Sequence, residues 1–427
     1  MTELKERLLY DATFLAECVD PKSRTGIYFV AYNVLKKMLE KNLYSIDLFC
    51  KSSQLKNLQT LLDEVFPNLE FNIMTELNSL KLAMFRANLK EKRELYRKNK
   101  SIIKKLLIQI LQLVVSPLYK LSEMLFLLKD FSIYDVFFSP MYKVPNFLAK
   151  YKTIKKCVFV HDVVPLIYPE YFPDYEKHWH KYLVDSMNSE EYYFANSEYT
   201  RQDFLKYCPQ IDPNKIHTTL LACDEKFRPC DEKQIEQAKF KYNIPTDKKY
   251  VFSLCTLEPR KNLIRTVKSF IQFIKKHNIE DMVFVLGGGS WEIFIEQLNK
   301  EIEYLGDYQD KILKIGYVKD EDLPALYSGA EWFTYTSQYE GFGLPPLEAM
   351  SCGTPVITSN NSSLPEVVGN AGIMIDWDSD EQHIEAFEKY YFNEDLRKEC
   401  AQKGLERAKQ FSWGKCAEKM IEVIKGV

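Results

Sequence analysis

Glu340 and Glu348 stand on either side of Gly341-Phe342-Gly343-Leu344-Pro345-Pro346-Leu347, and no other stretch of the chain has residue types so well spaced for chemistry. Upstream, the apolar run Trp332-Phe333-Thr334-Tyr335 reads as a buried strand. Downstream, the proline pair suits the first turn of a helix that continues through residues 347–350. The unit is strand, tight glycine turn, helix start. Several free backbone N–H groups and the positive end of a helix dipole would point past the strand tip, which suits a phosphate. Glu340 at the tip and Glu348 about one turn into the helix could hold hydroxyls on either side of that anion cradle, as on a sugar and a ribose. An ordinary βα turn with two incidental glutamates would explain a bare Gly-x-Gly. The whole string carries more than its glycines do.

A second stretch offers the matching cations. Ser253-Leu254-Cys255-Thr256-Leu257-Glu258-Pro259-Arg260-Lys261-Asn262-Leu263 leaves one strand and enters an amphipathic helix. Cations at a helix start oppose the dipole, so Arg260 and Lys261 hint at an anion, and together they could neutralise a diphosphate. Three glycines, Gly287-Gly288-Gly289, follow another strand, and Gly316-Tyr317-Val318-Lys319-Asp320-Glu321-Asp322-Leu323 follows a third. Asp320 and Asp322 are accounted for by capping the next helix.

The stretch from Glu340 to Glu348 resembles the E-x7-E signature of family 4 retaining glycosyltransferases of the GT-B fold. Residues 256–262 look like the TLEPRKN motif of a mannosyltransferase-like branch whose members often use GDP-mannose or related donors. The resemblance implies an α/β architecture of two Rossmann-like, doubly wound domains facing a central cleft, and a nucleotide diphosphate sugar as co-substrate without a metal. It assigns Glu340 to the sugar, Glu348 to the ribose, and Arg260 and Lys261 to the phosphates. Gly288, the backbone around Val318, and the Phe342-Gly343-Leu344 loop would meet the nucleotide. Thr256 stands on the donor side where many relatives have another arginine.

The first half carries weaker matches. Phe159-Val160-His161-Asp162-Val163-Val164-Pro165 resembles the HD-x-x-P segment, whose histidine approaches the transferred sugar from the facing domain; a lone histidine is otherwise more often structural. Ser23-Arg24-Thr25-Gly26-Ile27 opens a helix running towards Leu39, with Gly26 at the donor and Arg24 on the acceptor side, or is a plain βα loop. Asn196-Ser197-Glu198-Tyr199-Thr200-Arg201 looks like the N-S-x-x-T segment, with Ser197 as helix cap and Arg201 as an acceptor contact.

The elements that must position these residues are short apolar strands alternating with longer helical patterns, the mark of parallel sheets. Strands are expected at 8–14, 45–49, 136–139, 158–160, 192–195 and 216–220. A second set is expected at 250–254, 282–286, 312–316, 332–335, 355–358 and 373–375. Residues 224–249, rich in charge and carrying Pro229 and Pro245, read as the connector. The expected division is an acceptor-side domain over 1–222, a nucleotide-sugar domain over 223–410, and a helix over 411–427 that crosses back to the first. A length of 427 residues suits two domains. Both sets of strand ends would face one cleft.

Composition removes other classes. Net charge is −3, which gives no nucleic-acid signal. The ten cysteines include no Cys-x-x-Cys pair, so a reduced, cytoplasmic setting without metal is expected. The start of the chain shows no signal-peptide pattern, and no window reaches the roughly 20 apolar residues of a spanning helix. Asp376-Trp377-Asp378 matches a metal-holding D-x-D motif but follows the last expected strand, where a surface turn is expected. His178-Trp179-His180 would point its rings to different helix faces.

Residues 81–128 fit the pattern least. Between 81 and 105 there are ten Lys or Arg against Glu91 and Glu94, and apolar residues from Ile102 to Leu118 recur at helical spacing. One reading is a helix packed on the first domain. The other is an anionic-membrane surface helix over 81–118 that holds the protein at the inner face. The function expected is retaining transfer of a hexose, mannose-like in preference, to a glycan or lipid-linked acceptor in surface polysaccharide or glycoconjugate synthesis. The rivals are a GT-B nucleotide-sugar epimerase and a non-catalytic assembly partner.

Overall fold

The computed structural model describes residues 5–75, 130–289 and 292–426, with Ile110, Leu113 and Pro117 between. The rest of the basic and apolar segment 81–128 lies outside the described residues. Among the described residues, thirteen strands, all paired in parallel, form two sheets. The first holds β1 (Glu6–Asp11), β2 (Tyr44–Phe49), β3 (Ile73–Met74), β4 (Val136–Ser139), β5 (Lys155–Val160), β6 (Tyr192–Ala195) and β7 (Ile216–Thr218), in the order β3-β2-β1-β4-β5-β6-β7. The second holds β8 (Lys249–Leu254), β9 (Met282–Gly287), β10 (Ile312–Gly316), β11 (Trp332–Tyr335), β12 (Val356–Ser359) and β13 (Gly372–Ile375), in the order β10-β9-β8-β11-β12-β13. Strand order therefore reverses between β1 and β4, and again between β8 and β11. Crevices at such reversals are where open α/β sheets bind ligands.

Burial on both faces explains the apolar strand runs. All four residues of β4, β11 and β12 are buried. Trp332 on β11 is fully buried and stacks at 6.1 Å on Phe387 of the helix Asp380–Phe392. Truncating it to alanine would cost about 3–5 kcal/mol. The helix Leu263–His277 buries Leu263, Val267, Phe270, Ile271 and Ile274 at helical spacing, with Lys268 and Lys275 opposite. It stops at Asn278, whose φ of 52° is left-handed.

Several expected boundaries moved, each for a local reason. β1 ends at Asp11, not residue 14, because the Asp11 carboxylate accepts from the Thr13 amide at 3.0 Å and turns the chain into the helix Thr13–Glu17. β3, only two residues long, was not expected. The connector contains the helix Glu232–Lys241, started by a capping box of Asp231 and Gln234. The last helix, Trp413–Lys425, packs on the helix Gly26–Lys41 of the first half, with Lys41 and Glu418 ion-paired.

Candidate active site

The reversal between β8 and β11 is stitched shut. The Arg260 carbonyl, in the turn after β8, accepts from the Gln338 amide at 2.7 Å and the Ser337 hydroxyl at 3.0 Å, both after β11. This brings Glu258, Arg260, Lys261 and Glu340 together. Lys261 Nζ lies 2.6 Å from Glu340 Oε1 and donates to the Tyr335 hydroxyl at 2.8 Å. Arg260 lies 3.1 Å from the same carboxylate oxygen, 2.8 Å from Glu258, and donates to the Tyr339 carbonyl at 2.6 Å. Two cations thus balance two carboxylates, with Lys261 only 7% exposed.

Burial by itself would raise the Glu340 pKa. Arg260 and Lys261 outweigh it and hold the group down at about 2, so it remains a carboxylate. The Arg260 pKa, which burial lowers, is raised overall by Glu340 and Glu258.

Glu348 has the opposite setting. It lies inside the helix Leu344–Ser351 and accepts from the Tyr327 hydroxyl at 2.9 Å. Burial pushes its pKa up to about 7, against the Tyr327 hydrogen bond and Lys226, which lower it. It lines a cavity of about 30 Å³ between the two sheets with Phe29, Asn33, Lys226 and Asp320. The two glutamates therefore do not meet. One is ionised beside cations, and the other is close to half-protonated near neutral pH.

The helix start between them differs from the sequence expectation. Gly343 is the cap at φ 110°, and the prolines at 345 and 346 remove two of the donors that a helix start normally leaves free. The amides of Gly343 and Leu344 remain, fewer than the several expected. The loop is braced by Ser363, whose hydroxyl bridges the carbonyls of Glu340 and Phe342, and by Ser362, which accepts from the Glu340 amide. Phe342 is buried against Phe411, with ring centroids 6.0 Å apart.

The facing half presses onto this loop. A Cβ at Gly341 would lie 2.1 Å from the His161 carbonyl oxygen. His161 is buried beyond β5, and its Nε2–H donates to the Pro140 carbonyl at 2.7 Å. A carbonyl can only accept, which fixes the proton on Nε2. Burial lowers the His161 pKa against the Pro140 carbonyl and Asp162, so the ring is neutral. Ser197 caps the helix Glu198–Tyr207 by accepting from the Thr200 amide, and both hydroxyls donate to the Gly341 carbonyl, at 2.8 and 2.9 Å. Glu366 of the second half accepts from the amides of Glu198 and Tyr199, capping that helix across the cleft.

The other expected residues fall as follows. Gly26 faces Leu344, 3.4 Å from a built Cβ. Gly288, at φ 125°, could bear no side chain, because a Cβ would lie 1.8 Å from the Cys255 carbonyl oxygen. Val318 is buried against Gly287, and Thr256 is exposed. Arg24 and Arg201 stand apart from the charged cluster. Arg24 makes a two-point pair with Glu64, and Arg201 bonds Glu198 and the carbonyls of Pro213 and Ile216. Asp320 does not cap the next helix as expected; it pairs with Lys226 at 3.3 Å, while Asp322 takes Lys241 and Tyr242. Asp376 accepts from Gln382. His178 is a helix cap, not a helical residue, and His180 bonds Tyr175 and the Asp162 carbonyl. Among the described residues no helix is long and apolar enough to cross a membrane.

Sequence reading missed Glu258, Tyr335 and Glu366. Glu258 sits in the same motif as the two cations, and its charge was the available signal. Tyr335 and Glu366 act through long-range contacts that leave none.

Residues 234–407 match the family model described as glycosyl transferases group 1. The O-antigen chain mannosyltransferase B of Escherichia coli is 34% identical, over 67% of this chain and 74% of its own length. The serotype-specific mannosyltransferase WbdA of Escherichia coli is 28% identical over 65% of this chain, but the match spans only 34% of that longer protein. The O-antigen chain mannosyltransferase RfbU of Salmonella typhimurium is 26% identical over 52% of this chain and 57% of its length. Among solved structures, Anabaena HepE in complex with UDP and glucose matches with a TM-score of 0.67 at 14% identity, covering 99% of this chain and 100% of that one. WaaG, a glycosyltransferase involved in lipopolysaccharide biosynthesis, matches with a TM-score of 0.64 at 14% identity, over 98% and 100%. These two likenesses concern the fold, which is GT-B.

Proposed function

This chain belongs to the group 1 glycosyl transferases, and we propose that it moves a mannose-like hexose from a nucleotide diphosphate sugar, GDP-linked in preference, to a glycan or lipid-linked acceptor in polysaccharide synthesis. The observation that carries the reading is the buried cluster of Arg260, Lys261, Glu258 and Glu340 at the strand reversal, with the His161 backbone pressed against neighbouring Gly341 from the other half. The names of the relatives support mannose and a polysaccharide product.

In this reading the anomeric carbon loses its bond to the β-phosphate oxygen through an oxocarbenium-like state. The acceptor oxygen bonds that carbon on the same face, and its proton passes to the departing phosphate oxygen, so configuration is retained as in family 4 enzymes. Arg260 and Lys261 stabilise the growing phosphate charge, the part that a divalent metal plays elsewhere. Glu340, ionised at any physiological pH, accepts from sugar hydroxyls. Neutral His161 approaches the sugar from the facing half, and Glu348 takes the ribose hydroxyls.

The segment 81–118 would hold the protein reversibly at an anionic membrane surface on the cytoplasmic side. Its ten basic residues between 81 and 105 and the helical apolar spacing after them support this.

Thermal melting with GDP-, UDP- and dTDP-hexoses tests the donor. A nucleotide sugar present at about 100 times its Kd should stabilise the fold by about 2.7 kcal/mol. No shift with any of the three would count against the reading. Conversion of the donor to another sugar without acceptor would favour the epimerase instead.

A further inference from the structure

Close beyond His161 lies a patch of aromatic rings with no part in the chemistry above. The short helix Val164–Ile167 runs into Tyr168, and the turn Pro169–Tyr171 follows. The rings of Tyr168 and Tyr171 lie near-parallel, at 16°, with centroids 5.7 Å apart. Tyr199, 41% exposed, adds a third ring and contacts Tyr339 edge-on at 6.0 Å. Tyr168 packs against the same apolar cluster as Tyr339, whose carbonyl holds the Arg260 guanidinium. The patch therefore borders the transfer cluster from the facing half.

We infer that Tyr168 and Tyr171, with Tyr199 beside them, form the stacking platform on which a pyranose ring of the acceptor glycan lies. The inference rests on the glycosyl-transfer reading and adds where the acceptor sits.

The negative face of a tyrosine ring attracts the weakly positive C–H bonds of a sugar, and the phenol rim adds hydrogen bonds to its hydroxyls. Tyr175 and Tyr339 spend their hydroxyls on His180 and Asp203. Those of Tyr168, Tyr171 and Tyr199 have no hydrogen-bond partner among the described residues. Burial raises the pKa of all three, so they stay protonated donors at physiological pH. The Arg260 charge reaches Tyr168 and the Glu258 charge reaches Tyr171, which agrees with a patch beside the reacting carbon. A core role alone would require neither half-exposed rings nor free phenols.

The test is acceptor kinetics at saturating GDP-mannose, with a mannobioside as acceptor. Tyr168→Ala and Tyr171→Ala should each raise the acceptor KM roughly tenfold, the loss of one aromatic contact. Tyr168→Phe and Tyr171→Phe, which keep the face and the packing, should stay within about threefold of wild type, the loss of one phenol hydrogen bond. The donor KM should not move in any of them. Wild-type acceptor KM in correctly melting alanine variants would overturn the platform. An equal rise in donor KM would overturn it too. If wild type transfers from no nucleotide sugar, the transfer reading itself fails. Saturation-transfer NMR with the mannobioside alone then decides the platform, by signals lost in the alanine variants or never present.

Discussion

Lys261 Nζ sits 2.6 Å from Glu340 Oε1, joining residues 79 positions apart across the β8–β11 reversal. The cation expected to serve the leaving phosphate is also the one that keeps Glu340 ionised. Each therefore depends on the other.

Removing that cation should have two effects. Lys261→Ala loses an interaction aimed at developing charge, worth about 3 kcal/mol or roughly a hundredfold in kcat. It also leaves Glu340 buried with one fewer partner, so stability should fall by about 3 kcal/mol. Steady-state kinetics and melting of the same sample read both. Wild-type turnover in a folded Lys261→Ala protein would sink the phosphate assignment.

The two glutamates should titrate in opposite senses. The Glu340 pKa is depressed from 4.5 to about 2, so its stabilisation is present above pH 4.5 and disappears as pH falls towards 2. The Glu348 pKa is raised from 4.5 to about 7, so its favourable contribution is full below pH 4.5 and is lost as pH rises through 7. Glu348→Gln, which cannot ionise, should melt progressively higher than wild type between pH 4.5 and 7.5, by up to about 3 kcal/mol. A difference that does not vary with pH would mean Glu348 is not raised.

Gly341 should tolerate no side chain, because the His161 carbonyl blocks it. Since that carbonyl belongs to the other sheet's half, Gly341→Ala should part the two halves before unfolding either. The expected result is a large loss of kcat with an enlarged radius of gyration in X-ray scattering. Gly289→Ala, with nothing among the described residues within 4 Å of a built Cβ, is the neutral control. Full activity in Gly341→Ala would mean the closed contact is not needed.

Membrane docking should follow charge. Liposome co-sedimentation should rise with anionic lipid and fall with salt, each basic residue near the surface contributing about 1 kcal/mol. Changing Lys98, Lys100, Lys104 and Lys105 to Glu should release the protein and leave donor binding untouched. Indifference to anionic liposomes at low salt would remove the segment 81–118 from the proposal.

Much of this was legible where the signal is local. The runs 136–139, 192–195, 312–316 and 332–335 became strands with the same bounds, because apolar runs this short between turn residues have few other outcomes. Glu340, Glu348, Arg260 and Lys261 were singled out as candidates by their motifs. Their pairing was not, because it depends on how β8 and β11 meet. Nor was the split in protonation, since Glu340 has Arg260 and Lys261 beside it to offset its burial, whereas Glu348 is buried with the Tyr327 hydroxyl as its hydrogen-bond donor. The cross-cleft cap by Glu366 likewise belongs to the docking of the halves.

The central claim is retaining transfer without a metal, and the stereochemistry of the product tests it most directly. Purified protein would be incubated with GDP-mannose, a mannobioside and EDTA, and the product's anomeric proton and carbon coupling read by NMR. One α-linked mannose per GDP released, unchanged by EDTA and by Asp376→Asn with Asp378→Asn, is the expected result. A β-linked product, or transfer that stops with EDTA and returns with Mn²⁺ or Mg²⁺, would contradict it.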